Sequence, residues 1–327
     1  MYKKSVLIII FGLILLFSCS FVDEDDPPYF PQMNYKQEMR SFVQKLSSYA
    51  KNIESSFIVI PQNGQELVTK NGAENGEPDM NYLNSIDGLG REDLRFGYTG
   101  DNIATPIEIT NYIMTFLDIC EENEVEVLVT DYCNLSADMS YCYHQNESKG
   151  YISFVASERD LNVIPFYPII PYNNNAININ SLANSKNFLY LINSDNFTSK
   201  QDFINTVSNT NYDVIIMDMF FNDEEFTSAE IGQLKQKEIG TRLVISYMSI
   251  GEAENYRYYW QTDWENDKPD WLGTENPDWE GNFKVQYWDS DWQDIIYGND
   301  DSYLRKILDA GFDGVYLDII DAFEYYE

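Results

Sequence analysis

The chain has 327 residues with 54 acids against 21 bases, a net charge of −33, and such a surface makes nucleic acid a poor partner because phosphate contacts need Lys and Arg. A cationic ligand would be attracted instead. The 44% hydrophobic content allows one large core, and 25 Tyr, 19 Phe and 6 Trp suit stacking on flat faces such as sugar rings.

Residues 1–18 read as a targeting segment. Lys3 and Lys4 form a basic head, and Ser5 to Ser18 is an almost unbroken apolar run. The run is short for a membrane span and fits a signal h-region. Leu16-Phe17-Ser18-Cys19 resembles a bacterial lipoprotein cleavage site. That resemblance implies a lipidated Cys19 and a place in the cell envelope, on the outer membrane or cell surface, with the lipid anchor as the only membrane contact. Residues 19–33, with Asp23-Glu24-Asp25-Asp26-Pro27-Pro28, form a charged, stiff tether. A single domain is expected over 34–327.

In chain order, Tyr35, Met39, Phe42, Val43, Leu46, Tyr49 and Ile53 recur at steps of three and four, which predicts an amphipathic helix. Phe57 to Ile60 reads as a short buried strand ending in Pro61-Gln62-Asn63-Gly64, and Ile86 to Asp93 as another with a polar end. Ile107 to Cys120 has helical spacing, and Val125 to Asp131 is a strand finishing on an acid. Tyr151 to Ala156 is extended, and 165–186, rich in Asn, Pro and Ile, is a connection without periodicity. Strands then follow at Phe188–Asp195, Val214–Asp218 and Leu243–Ile250, the last delivering Gly251-Glu252-Ala253-Glu254. Phe283 to Asp289 reads as the next strand, and Leu304 to Leu308 as a helix. The final strand, around Val315, Tyr316 and Leu317, ends on Asp318.

Eight strands, most alternating with helices, predict a (β/α)₈ TIM barrel. They end at or near Asn63, Glu92, Asp131, Asp195, Asp218, Glu252, Asp289 and Asp318, placing a ring of acids and an amide around one mouth. Three cysteines follow Cys19. Cys133 and Cys142 could pair, but three is an odd number and buried free thiols are equally consistent. No Cys or His cluster has metal-ligand spacing, so neither metal nor cofactor is expected.

Three motifs carry a resemblance: Ser246 to Arg257, Tyr287-Trp288-Asp289, and Gly311 to Glu324. They resemble the family 114 glycoside hydrolases, the endo-α-1,4-polygalactosaminidase-like barrels. Ile60 to Gly64, Gly90 to Leu94 and Val129 to Tyr132 resemble the later strand ends of the same family, yet here they come first. The resemblance therefore implies a circular permutation, with 34–164 as the later half, 165–186 joining the old ends and 187–327 as the earlier half. It also implies Asp318 as nucleophile and Glu92 as acid/base, at positions expected to face each other across the mouth in a retaining mechanism. Glu252, Glu254, Asp289, Asp218 and Asp131 are candidate substrate contacts, joined by Asn63, Tyr247, Trp288 and Arg257, with Arg257 expected to pair with one of the acids. The loop from Tyr256 to Trp279 offers aromatic platforms. The implied substrate is a polysaccharide, and polygalactosamine would be cationic. The competing reading is a surface lipoprotein that binds glycan without cutting it.

Overall fold

The computed structural model describes residues 33–327; the basic head, the apolar run, Cys19 and the tether up to residue 32 lie outside the described residues. Eight parallel strands organise the chain: β1 (Ile58–Pro61), β2 (Gly88–Glu92), β3 (Glu126–Tyr132), β4 (Ile152–Ala156), β5 (Phe188–Tyr190), β6 (Val214–Asp218), β7 (Leu243–Ser249) and β8 (Gly314–Asp318). They form two parallel ladders, one in the order β1-β8-β7-β6-β5 and one in the order β2-β3-β4. β1 lies beside β8, with Ile58 opposite Gly314 and Pro61 opposite Leu317. The two ladders meet at β1 and β2 through a parallel bridge between Gln62 and Gly90, where the Asn63 amide donates to the Gly90 carbonyl at 2.8 Å. At the other seam the rings of Phe154 on β4 and Phe188 on β5 stand 5.5 Å apart.

Helices cover the outside of these strands. In α1 (Tyr35–Ile53) the Asn34 side chain accepts from the Gln37 amide at 3.0 Å, capping the first turn, and Met39, Phe42, Val43, Leu46 and Ala50 are buried on one face. α2 (Ile107–Glu122), α3 (Ser136–Glu147), α4 (Lys200–Ser208), α5 (Ser228–Leu234) and α6 (Tyr303–Ala310) fall between strands in the same manner. The connection at 165–186 has little apolar periodicity and is tied down by polar contacts instead. Buried Asp213 accepts from Lys237 Nζ at 2.6 Å, from Asn175 Nδ2 at 2.7 Å and from the Lys186 amide at 2.9 Å. A buried carboxylate with this many donors fixes the segment far better than exposed ion pairs would.

Two expected strands change places. Phe283–Asp289 does not join the parallel ladders: Asn282–Val285 pairs antiparallel with Glu252–Glu254 and with Leu272–Glu275 in a separate three-stranded sheet. Its apolar–polar alternation (Phe283, Lys284, Val285, Gln286) suits a half-solvated antiparallel strand. The eighth parallel strand is β4, whose Ile152-Ser153-Phe154-Val155-Ala156 is buried throughout. Cys120, Cys133 and Cys142 are buried free thiols, so the possible Cys133–Cys142 bridge is not formed.

Candidate active site

At the carboxyl ends of the strands lies a cavity of about 550 Å³, and Asp318 and Glu92 both line it. They are not opposite one another, because β1 alone separates β8 from β2. Strand alternation explains how each arrives there. On β8, Tyr316 and Asp318 share one face, and the Tyr316 ring meets the ring of Tyr190 at 5.1 Å. On β2, Gly90 lies two residues before Glu92, and a Cβ at Gly90 would fall 2.0 Å from the Tyr316 hydroxyl. Glycine there makes room for the tyrosine that floors the site.

Each carboxyl is held by two donors. Asp318 accepts from the Tyr247 hydroxyl at 2.6 Å and from the Ile319 amide at 2.8 Å. Glu92 accepts from the Tyr132 hydroxyl and from Gln62 Nε2 at 2.5 Å, and Gln62 Oε1 in turn accepts from Tyr190 at 2.8 Å. The turn after Asp318 is strained, since the β-branched Ile319 adopts φ 57°. Its carbonyl would lie 2.1 Å from a Cβ at Gly251, which is why a glycine follows Ile250.

Burial raises the proton affinity of these groups. The Asp318 carboxyl is pushed up to about 7, first by burial and then by the neighbouring charge of Glu92, against the opposing hydrogen bonds from Tyr247 and Ile319. Glu92 is raised by burial, opposed by the Tyr132 hydrogen bond and by Arg159 and Arg91, with Asp93 adding to the rise. Asp321, on the short 3₁₀ turn after β8, lines the same cavity and is pushed up to about 7 by burial and then by Glu324. The site can therefore hold a proton on one carboxyl and a charge on another near neutral pH. That is what acid/base or nucleophilic work on a glycosidic bond requires.

The remaining predicted residues divide. Asn63, Tyr247, Asp218, Glu254 and Arg257 line the cavity. Asp218 and Glu254 are engaged by Arg257, which binds Asp218 with two nitrogens at 2.9 and 2.7 Å and Glu254 through Nε at 2.7 Å. Four residues expected to touch substrate do not line it. Asp131 is fully buried and accepts from the Arg95 and Phe96 amides and from Asn146. Side chains alternate along β3, and its register turns Tyr132 to the cavity and Asp131 towards the helix outside. Glu252, buried in the three-stranded sheet, accepts from Asn276 at 2.8 Å and Tyr325 at 2.7 Å. Asp289 caps helix Ser290–Ile296 by accepting from the Asp291 amide at 2.8 Å. Trp288 packs between Tyr35 and Tyr326, with ring separations of 5.1 and 4.7 Å.

Of the loop aromatics, Trp264 and Trp271 are buried and pack edge-on and tilted towards Trp292, whereas Tyr256 and Trp279 stay more than half exposed at the cavity wall. Gln62, Tyr132, Asp321 and Arg159 were not singled out as site residues from the sequence. Gln62, Tyr132 and Asp321 fall inside the motifs that carry the resemblance, whereas Arg159 lies outside them. Eight carboxylates and two guanidiniums line the cavity, and both guanidiniums are engaged by acids. Among the described residues no three His, Cys, Asp or Glu side chains converge as metal ligands would.

Comparison with known proteins points the same way for one half of the chain. Residues 176–326 match the family model described as Glycoside-hydrolase family GH114. Uncharacterized proteins of Methanocaldococcus jannaschii, Thermotoga maritima and Deinococcus radiodurans are 40%, 36% and 39% identical over 155, 120 and 127 residues. These alignments cover 46%, 37% and 39% of this chain, and the chain spans only 41%, 36% and 39% of those relatives. Asp318 lies inside the family match, and Glu92 lies outside it.

Proposed function

We propose, for a chain that carries a family 114 glycoside hydrolase domain over residues 176–326, that it cleaves an aminosugar-containing polysaccharide with retention of anomeric configuration. The observation that supports this most strongly is the convergence of Asp318, from the matched half, and Glu92, from the other half, on one cavity. In the first step an Asp318 oxygen attacks the anomeric carbon. The C–O bond to the leaving group breaks, and the departing oxygen takes the Glu92 proton. Water then attacks the same carbon, Glu92 receives its proton, and the ester to Asp318 breaks. Tyr247 and the Ile319 amide orient Asp318 throughout, and Gln62 and Tyr132 orient Glu92.

The substrate follows from charge and shape. An acid-rich cavity whose two guanidiniums are already engaged favours a cationic polymer such as polygalactosamine, and Tyr256 and Trp279 offer faces for sugar rings. The architecture proposed is a closed (β/α)₈ barrel, circularly permuted. Its support is the β1–β8 pairing, the Gln62–Gly90 bridge, and the four strands contributed by residues ahead of the family match. The proposed location is the cell envelope, through a lipid on Cys19, and mass spectrometry of the native N-terminus tests it.

The test of function is incubation of the purified protein with polygalactosamine. New reducing ends are expected, and NMR of the first product should show the anomer of the substrate linkage. Polymer bound tightly but left uncut would identify a glycan-binding protein instead.

A further inference from the structure

We propose that Arg159 is a positioning residue for Glu92, acting through Tyr132 and through the loop that follows β2. This rests on the reading of Glu92 as acid/base. The Arg159 guanidinium lies over the Tyr132 ring, 3.9 Å from its centroid, and the hydroxyl of that ring donates to Glu92. Its nitrogens reach the other way: Nε donates to Asp101 at 2.6 Å, and a terminal nitrogen donates to Asp93 at 2.9 Å and to the Gly97 carbonyl at 3.1 Å. One side chain thus ties the connections after β2 and β4 to the end of β3.

The local backbone is built around this clamp. Asp93, the residue after Glu92, has φ 60°, and the Thr105 hydroxyl donates to its carbonyl at 2.7 Å. Gly97 has φ 124°, and a Cβ there would lie 1.9 Å from Asp93 Oδ1 and 2.9 Å from an Arg159 nitrogen. Any larger residue would push apart the ion pair that sits beside the acid/base.

A cation on the face of a tyrosine draws electron density into the ring and makes its O–H a stronger donor. That donor bonds best to the charged form of Glu92. The groups facing Glu92 come from every neighbouring element. Gln62 extends from β1, Tyr132 from β3, Arg91 and Asp93 flank it in sequence, and Arg159 lies beyond β4. Asp318 and Asp321 approach from β8 and its turn, with the buried hydroxyls of Tyr190 and Tyr316 beneath. Arg159 and Arg91 favour the carboxylate, whereas burial and the three acids favour the protonated form. Removing Arg159 deletes a cation and uncovers Asp93, and both changes make Glu92 hold its proton to higher pH.

The experiment compares wild type with Arg159→Met, Arg159→Lys and Asp101→Asn. With Glu92 as the acid, the alkaline limb of kcat/KM should move up by about one pH unit in Arg159→Met. Arg159→Lys, which keeps the charge, should bring it most of the way back. Asp101→Asn cuts the outer half of the clamp and should leave the limb in place. The Glu92 carboxyl is also titrated directly by NMR of ¹³C-labelled glutamate, its signal assigned with Glu92→Gln, so the result does not depend on turnover. A folded Arg159→Met protein with an unmoved Glu92 titration would overturn the proposal and leave Arg159 as loop packing. A wild type that cuts no polymer would sink the functional reading, while the NMR titration still decides this one.

Discussion

The two halves of the cavity support their carboxyls differently. On the side of the family match, Asp318 rests on one tyrosine and one strained turn, and the guanidinium that lines that wall, Arg257, is engaged by Asp218 and Glu254. On the other side, Glu92 has an amide, a tyrosine and a guanidinium behind the tyrosine, none of them in the matched stretch. Each guanidinium is paired with two acids, but only Arg159 also lies on the ring of a tyrosine that donates to one of the two carboxyls. Two groups of the same chemistry are thereby given different surroundings, and their proton affinities can be moved separately.

The largest effect should come from Glu92→Gln. It keeps the shape of the side chain and the Gln62 and Tyr132 neighbours but removes the proton. Cleavage of an unactivated polymer should fall by about 10²–10⁴-fold, and far less on a substrate with a good leaving group. An equal loss on both substrates would place the acid elsewhere.

On the opposite wall, Arg257→Met leaves buried Glu254 and half-buried Asp218 without their cation. Urea denaturation should show a loss of about 3–5 kcal/mol. A near-neutral result would mean that this ion-pair cluster contributes no net stability to the wall.

The two tyrosines sharpen the comparison. Tyr247→Phe removes a hydrogen bond to Asp318 and raises its proton affinity, so the nucleophile ionises later and the acid limb of kcat/KM moves up. Tyr132→Phe does the same to Glu92 and moves the alkaline limb up, each by about one pH unit. If the limbs respond the other way round, the roles of the two carboxyls are exchanged.

The smallest effect concerns Asp321, whose folded-state carboxyl is pushed up to about 7. In the unfolded chain it titrates at about 3.9. Between these values the native state binds the extra proton, so the stability it contributes is full at low pH and is lost as pH rises through about 7. Asp321→Asn should therefore raise Tm at pH 8 more than at pH 5.

Much of this arrangement is legible in the sequence. The alternation around Tyr316 and Asp318 and the polar strand ends pointed to one functional mouth, and six of the predicted contacts and catalytic pair members besides Arg257 line the cavity. What was not legible is instructive. The register of β3 turns Tyr132 rather than Asp131 into the cavity, because facing inward depends on register and not on being the last acid. Phe283–Asp289 carries an acid and aromatics like a barrel strand, yet its half-polar pattern sends it into an antiparallel sheet. Tyr151 to Ala156 reads as extended but has no terminal acid to place it among the eight strand ends, although the continuous burial of β4 is the stronger mark of a parallel strand. Arg159 acts from a loop remote in sequence from Glu92, and no local pattern links them.

The central claim is that Asp318 forms a bond to the sugar while Glu92 moves the proton. Mass spectrometry of a rapidly quenched reaction with an activated aminosugar substrate tests it directly. A glycosyl adduct on the peptide containing Asp318, absent in Asp318→Asn, is the predicted result. Turnover with inverted product and no adduct, or an adduct on another carboxyl, would contradict it.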